Sequence, residues 1–415
     1  MKLLVISNGH GEDTIAVKII KQLQSLEHEN NSEIFGLPMV GEGHAYKREG
    51  IEIITEVKTM PSGGFIYMDN KQLWKDIRNG LIGLTIQQYR AVKWWGKSGG
   101  VILAVGDILP LLLAWLSGCK YFFVGTAKSE YYLRDENGWL EQTSKIDRLL
   151  GSDYYPWERW LMKQNNCLGV FPRDTLTTQT LQQYQISAYD LGNPMMDDLS
   201  TSFSFENQPF DRYQLRVLLL AGSRMPEALN NWEIILQGVE SMVENIKEEF
   251  ICIGAIAPAL DLKEFSEPLS QKGWRSIDEK KSFGLKINDA NIMFFRKEQA
   301  TIMLTQRTYS QSLNYCNLSL AMAGTATEQF VGLGKPAIAF AGNGPQYNLY
   351  FAQKQKRLLG KSLYLLDSPT HTGKYIKKMS DNTEELGKIS DNGRKRLGEA
   401  GASSRIAHLI KQKLK

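Results

Sequence analysis

Cysteine is sparse in this chain. Cys119, Cys167, Cys252 and Cys316 are the only four in 415 residues, widely spaced and never in a C-x-x-C pair. That spacing excludes a zinc knuckle and a dithiol redox motif, and the apolar context of each reads as a small core residue. Long hydrophobic runs are lacking too. The longest, "ILPLLLAWLSG" (Ile108–Gly118), falls well short of the roughly 20 residues that span a bilayer. The opening "MKLLVIS" is too short an apolar run for a signal peptide, so a reduced, cytoplasmic setting is expected. Charge of one sign is modest, with a formal net of +4, and no aromatic RNA-binding signature or zinc pattern accompanies it. A nucleic-acid partner is therefore not expected. At 42% hydrophobic and 23% charged residues, general disorder is excluded as well.

What the chain does have is alternation. Its length suggests two or three domains at roughly 150 residues each. "KLLVIS" (2–7) reads as a buried strand followed by a Gly-rich turn. "TIAVKIIKQLQSL" (14–26) places Ile15, Ile19, Leu23 and Leu26 on one helical face. "EIFGL", "IEIITEV", "VILAVG", "KYFFVG", "CLGVFP" and "ISAYDLG" read as further strands. Strands alternating with helices predict a parallel sheet covered on both faces. After Asn193-Pro194 the pattern restarts. The polar stretch 200–214 reads as a linker, and "LRVLLLAGS", "EFICIGAI", "NIMFF", "LSLAMAG", "PAIAFAG" and "SLYLLD" form a second series. The expectation is two α/β halves with ligands outside the carboxyl ends of their strands, in a cleft between the sheets.

Four strand-end turns carry candidate chemistry. In "ISNGHGEDT" (6–14), Asn8, Gly9 and Gly11 permit a tight turn, and the next helix start favours anions. Gly9-x-Gly11 lacks the third glycine of a dinucleotide fingerprint. Glu12 and Asp13 either complement the helix dipole or face a ligand, while His10 can act as a general base or contact an acceptor sugar. In "LAVGDILP" (103–110), Asp107 either takes a proton from a hydroxyl nucleophile or caps a helix starting near Leu109. In "LLLAGSRMPEA" (218–228), Gly222 and Ser223 present amides and Arg224 adds a fork suited to phosphate. In "SLAMAGTATEQFVGLGKPAIAF" (319–340), Gly324, Thr325, Ala326 and Thr327 can offer donors to a diphosphate, and Glu328 can accept both hydrogens of a ribose diol. Plain capping is the alternative there. Gln346 and Asn348 can reach a sugar or belong to a loop and a cap.

Basic residues gather with aromatics. Residues 58–97 hold seven Lys or Arg against Asp69 and Asp76, net +5, and include "VKWWGK" (Val92–Lys97). "YYPWERWLMK" (Tyr154–Lys163) adds aromatics. Tryptophan beside lysine suits the headgroup zone of an anionic membrane; core tryptophans under a solvated lysine face are the alternative. The stretch 388–415 is net +6, and Ile406, Leu409, Ile410 and Leu414 have helical spacing, which predicts a packed basic helix.

The ordered set "FPRD" (Phe171–Asp174), "LGNPMMDDL" (Leu191–Leu199), "LLAGSR" (Leu219–Arg224) and "GTATEQ" (Gly324–Gln329) resembles lipid-A-disaccharide synthase, more narrowly the related divergent group. That resemblance implies a GT-B fold: two Rossmann-like domains, 1–199 on the acceptor side and 215–385 on the donor side, with helices in 386–415 crossing back to the first. It implies an inverting, metal-independent and cofactor-free glycosyltransferase at the cytoplasmic membrane face, moving a sugar from a UDP-linked donor to a lipid-linked acceptor. Gly222–Arg224 match the family's phosphate loop, Gly324–Thr327 its second donor loop, Glu328 its donor-binding Glu, and Asp107 a strand-end candidate base. The N-terminal turn departs from the family's Gly-Glu-x-Ser-Gly-Asp type and looks closer to the Gly-His turns of other GT-B transferases. A nucleotide-sugar 2-epimerase and a non-catalytic nucleotide-binding membrane protein are the rival readings.

Overall fold

The structure is a computed structural model that describes residues 2–26, 33–55, 81–199, 212–277, 289, 291–380 and 382–415. The chain forms two units, Met1–Asp197 with Gly398–Lys415, and Asp198–Leu397.

The first unit is built on six parallel strands, β1 (Lys2–Ser7), β2 (Glu33–Pro38), β3 (Glu52–Ile53), β4 (Val101–Gly106), β5 (Lys120–Gly125) and, after the short hairpin β6 (Arg134–Asp135) and β7 (Gly138–Trp139), β8 (Cys167–Phe171). Their order across the sheet is β3-β2-β1-β4-β5-β8. The strands read as continuous apolar runs because both faces are buried. Leu3, Val5, Leu103 and Val105 pack under the helices His10–Ser25 and Ala402–Leu414, meeting Ile19, Ile20, Ile406 and Ile410. Leu4, Ile6, Ile102 and Ala104 face the opposite layer, with Val92 and Trp95 of the helix Leu81–Lys97 and Leu111 and Ala114 of the helix Ile108–Ser117. The predicted spacing at the chain's end is thus the inner face of a helix closing the first core.

The second unit contains β9 (Leu215–Leu220), β10 (Phe250–Ala255), β11 (Arg275–Ile277), β12 (Met293–Lys297), β13 (Ala300–Thr305), β14 (Leu318–Ala321), β15 (Ala337–Phe340) and β16 (Leu363–Leu366). Their order is β11-β12-β13-β10-β9-β14-β15-β16. β11 and β12 are antiparallel additions at one edge; the other neighbours pair parallel. Numbered within their own unit, the six parallel strands again run 3-2-1-4-5-6. Trp232, Ile235, Leu236 and Val239 of the helix Glu227–Asn245 fill the core over Val217 and Leu219.

Three expectations change. "ISAYDLG" makes only a one-residue bridge, Ala188 to Val170, because the six-stranded sheet already ends at β8. "NIMFF" is an antiparallel strand, and its partner β13, six buried residues after a two-residue turn, completes a hairpin the apolar pattern did not separate. The helix Thr383–Leu397 lies in the second unit, and Ala402–Leu414 in the first. Most of the linker stretch and residues 58–80 of the basic-aromatic segment fall outside the described residues. No helix among the described residues is long and apolar enough to cross a membrane.

Candidate functional site

In an open parallel sheet, the crevice for a ligand opens where strand order reverses, at the carboxyl ends of the two central strands. In the first unit those strands are β1 and β4, and the turns leaving them are the two singled out in the sequence. Gly9 has φ +133°, and a Cβ there would lie 2.8 Å from the Val40 carbonyl oxygen; Gly106 has φ +137°, and its Cβ would meet Asn8 Oδ1 at 2.4 Å. Both positions therefore demand glycine. The Asp107 amide lies 3.5 Å from Asn8 Oδ1, so Asn8 bridges the two turns.

The carboxylates here divide into separate roles. Asp107 caps the helix Ile108–Ser117, accepting from the Leu109 amide at 2.9 Å. Burial pushes its carboxyl up from the ordinary value, while the Leu109 amide, Asn8 and the Lys128 charge pull it back. Glu12 sits in the first turn of His10–Ser25 and accepts from Thr126 Oγ1 at 3.2 Å. Its carboxyl is pushed up to about 7, first by burial and further by the charges of Asp107 and Asp13. Asp13 is buried behind the turn. It accepts from Ser7 Oγ at 2.6 Å, and Ser7 in turn lies 2.6 Å from the Tyr46 hydroxyl. Burial raises Asp13 to about 6. Asp13 is therefore a core-side support rather than a ligand contact. His10 begins the helix, and a Cβ on Gly11 would meet open space.

Sequence reasoning missed Thr126 and Lys128. Lys128 Nζ donates to Glu158 Oε2 at 2.5 Å and to the Asp153 carbonyl at 2.8 Å, and lies 4.1 Å from the Tyr155 ring centre. The signal was present: "VGTAKSE" leaves β5 through small residues, as the other turns leave their strands.

In the second unit the corresponding strands are β9 and β14. Gly222 follows β9 with φ +97°, Ser223 is exposed and Arg224 half-buried. Burial lowers the Arg224 pKa and Glu227 opposes the shift; a guanidinium stays charged regardless. Asn231, buried on Glu227–Asn245, donates to the Ala221 carbonyl at 3.1 Å and the Met322 carbonyl at 3.3 Å, fastening the ends of the two strands together. Gly324 precedes the helix Thr325–Gly332 without a side-chain cap. The Thr327 and Glu328 amides both donate to the Gly324 carbonyl, at 3.1 and 3.2 Å.

Thr327 is the residue the structure reassigns. It is fully buried, and its hydroxyl donates to the Ala323 carbonyl at 2.5 Å, so it holds the turn from behind. The outward donors of this turn are Thr325, exposed, and Ala326, half-buried. Glu328 is half-buried in the first helical turn. Asn348 proves to be a cap, accepting from the Phe351 amide at 2.9 Å. The Gln346 and Tyr347 amides donate to Glu227 Oε1 at 3.1 and 2.5 Å, which binds their loop to the helix behind Arg224. Gln355 Nε2 reaches the carbonyls of Ala323 and Gly324 at 3.0 and 3.2 Å. Asn231, Glu227 and Gln355 were missed; their one signal is a buried polar side chain within an otherwise apolar helix face.

Two Rossmann-like α/β units, each with glycine turns at its strand-order reversal, define the GT-B fold. Solved structures of that fold match the chain over its whole length. S. aureus MnaA in a co-structure with UDP is 12% identical with a TM-score of 0.58, covering 100% of this chain and 97% of that one. MurG from Acinetobacter baumannii is 12% identical with a TM-score of 0.55 and 99% coverage of both chains. The UDP-GlcNAc 2-epimerase from Neisseria meningitidis, bound to UDP-GlcNAc, is 13% identical with a TM-score of 0.53, covering 99% and 100%. Neither a family model nor a curated protein matches the sequence.

Proposed function

We propose that the chain is an inverting, metal-independent glycosyltransferase, lipid-A-disaccharide synthase-like, that moves a sugar from a UDP-sugar to a lipid-linked acceptor at a membrane surface. One observation carries the reading. In the second unit, two turns fastened together by Asn231 place Gly222, Ser223 and Arg224 beside an uncapped helix start at Thr325. Amides, a helix dipole and a guanidinium together suit a diphosphate. The UDP and UDP-GlcNAc in the co-structures of two fold neighbours support that choice of ligand. Glu328, partly accessible in the same first turn, is the proposed ribose contact.

In this reading an acceptor hydroxyl gives its proton to the Asp107 carboxylate, and its oxygen attacks the anomeric carbon. The bond from that carbon to the diphosphate oxygen breaks, and UDP leaves with the electron pair. Arg224 and the turn amides offset its developing charge. His10, at the start of the first helix, is the alternative base.

A second reading, nucleotide-sugar 2-epimerase, draws on Glu12. A carboxyl pushed up to about 7 beside Asp107 is a proton donor and acceptor pair of the kind that removes and returns a proton. The test is incubation with labelled UDP-GlcNAc, with and without a lipid extract. Label appearing in lipid, with release of UDP, supports transfer. An epimer formed without lipid supports the second reading. Nucleotide binding with no turnover across acceptors leaves a non-catalytic binding protein, and no UDP binding overturns all three.

A further inference from the structure

Short helices of the first unit carry exposed apolar side chains that the nucleotide turns do not use. In the helix Lys145–Leu150, Ile146 is 70% and Leu149 87% exposed; in the helix Pro156–Met162, Trp157 is 55% and Trp160 51% exposed. Each pair lies three residues apart, on one side of its helix. Isolated exposed apolar residues are ordinary, but four of this size on adjoining short helices are not. The elements that carry these residues are neighbours. Arg159 donates to the Leu150 carbonyl at 2.9 Å, joining the two helices. The Trp160 ring meets Trp115 edge-on at 5.1 Å. Lys93 donates to the Leu116 carbonyl at 2.9 Å, which brings in the helix Leu81–Lys97, whose Trp94 is 69% exposed.

The exposed charges along these segments are mostly basic. Lys93, Lys97, Lys145, Arg148 and Lys163 are exposed, against Glu141. Asp147 is held by the Ser144 cap, and Glu158 is buried against Lys128.

We propose that this face docks on an anionic lipid bilayer, with Ile146, Leu149, Trp157 and Trp160 entering the headgroup layer. The lysine and arginine stems then reach the lipid phosphates. A second copy of this chain fits less well, because a two-fold contact through the same patch would set basic residues against basic residues. The proposal deepens the reading of a lipid-linked acceptor by naming the surface that meets the lipid. It extends the contact expected of residues 58–97, to which Lys93 and Trp94 belong, to the helices at 145–162.

The test is co-sedimentation of the full chain with phosphatidylcholine vesicles, with and without phosphatidylglycerol, beside a Trp157→Ser/Trp160→Ser variant. Binding is expected only with the anionic lipid, falling with added salt, and weakened about tenfold or more in the variant. A circular-dichroism melt, expected unchanged in the variant, shows that it is folded, and UDP binding by calorimetry is measured for both proteins. If UDP binds to neither protein while vesicle binding behaves as stated, the nucleotide reading fails and this one stands. Equal vesicle binding by both proteins overturns the proposal. So does concentration-dependent self-association that the substitutions abolish, without vesicle binding.

Discussion

Glu12 and Asp107 are both carboxyls at strand ends, yet their surroundings set them apart. Asp107 has amides, an asparagine and a lysine working to keep it ionised, whereas Glu12 has only its own amide and a threonine hydroxyl against burial and two like charges. The sign of the consequence follows. Between the ordinary 4.5 and about 7, folded Glu12 holds a proton that the unfolded chain has released. Stability therefore falls as pH rises through that window, by at most about 3 kcal/mol. Glu12→Gln is expected to flatten the decline in melting temperature across it, and a curve as steep as the parent's would falsify the assignment. Arg224 can be examined by calorimetry. Arg224→Ala should weaken UDP binding about tenfold to a hundredfold, and unchanged affinity removes the guanidinium from the donor site.

Asp197 shows what an element depends on and why much of that was not readable. It lies in "LGNPMMDDL", which carried a family resemblance, and nothing in one dimension ties it to residue 401. In the fold its carboxylate accepts from the amides of Gly401, Ala402 and Ser403 at 2.6, 3.0 and 2.8 Å, capping the last helix. Asp197→Ala should cost about 1–2 kcal/mol in thermal or denaturant unfolding, with Asp197→Asn recovering part of it; no loss would show that water replaces the cap. The elements that could be read were those whose signal is local. Strands buried on both faces announce themselves as apolar runs, and Gly9, Gly106 and Gly222 at their ends mark turns with positive φ, although Gly324 does not. The same logic singled out the four turns that the structure sets at the two strand-order reversals. Asn231 and Gln355 could not be found that way, because each acts on a carbonyl that folding brings near. Thr327 misled for a related reason, since a hydroxyl at a helix start can point outward or fold back on its own turn.

At the scale of the whole molecule, one strand order occurs twice, and the two occurrences have different chemistry at the same place. The first sheet's reversal carries Glu12 and Asp107, the second's Arg224, Glu328 and a helix start. In the proposed transfer, the first would supply the proton acceptor and the second the anion holder, each from an equivalent position. The chain's path adds a further condition. Ile406, Ala407 and Ile410 complete the core under β1, although some 200 residues of the second unit are threaded before them. The first core therefore keeps one flank bare until a segment lying beyond the whole second unit in sequence has joined it, so its closure depends on contacts far apart along the chain.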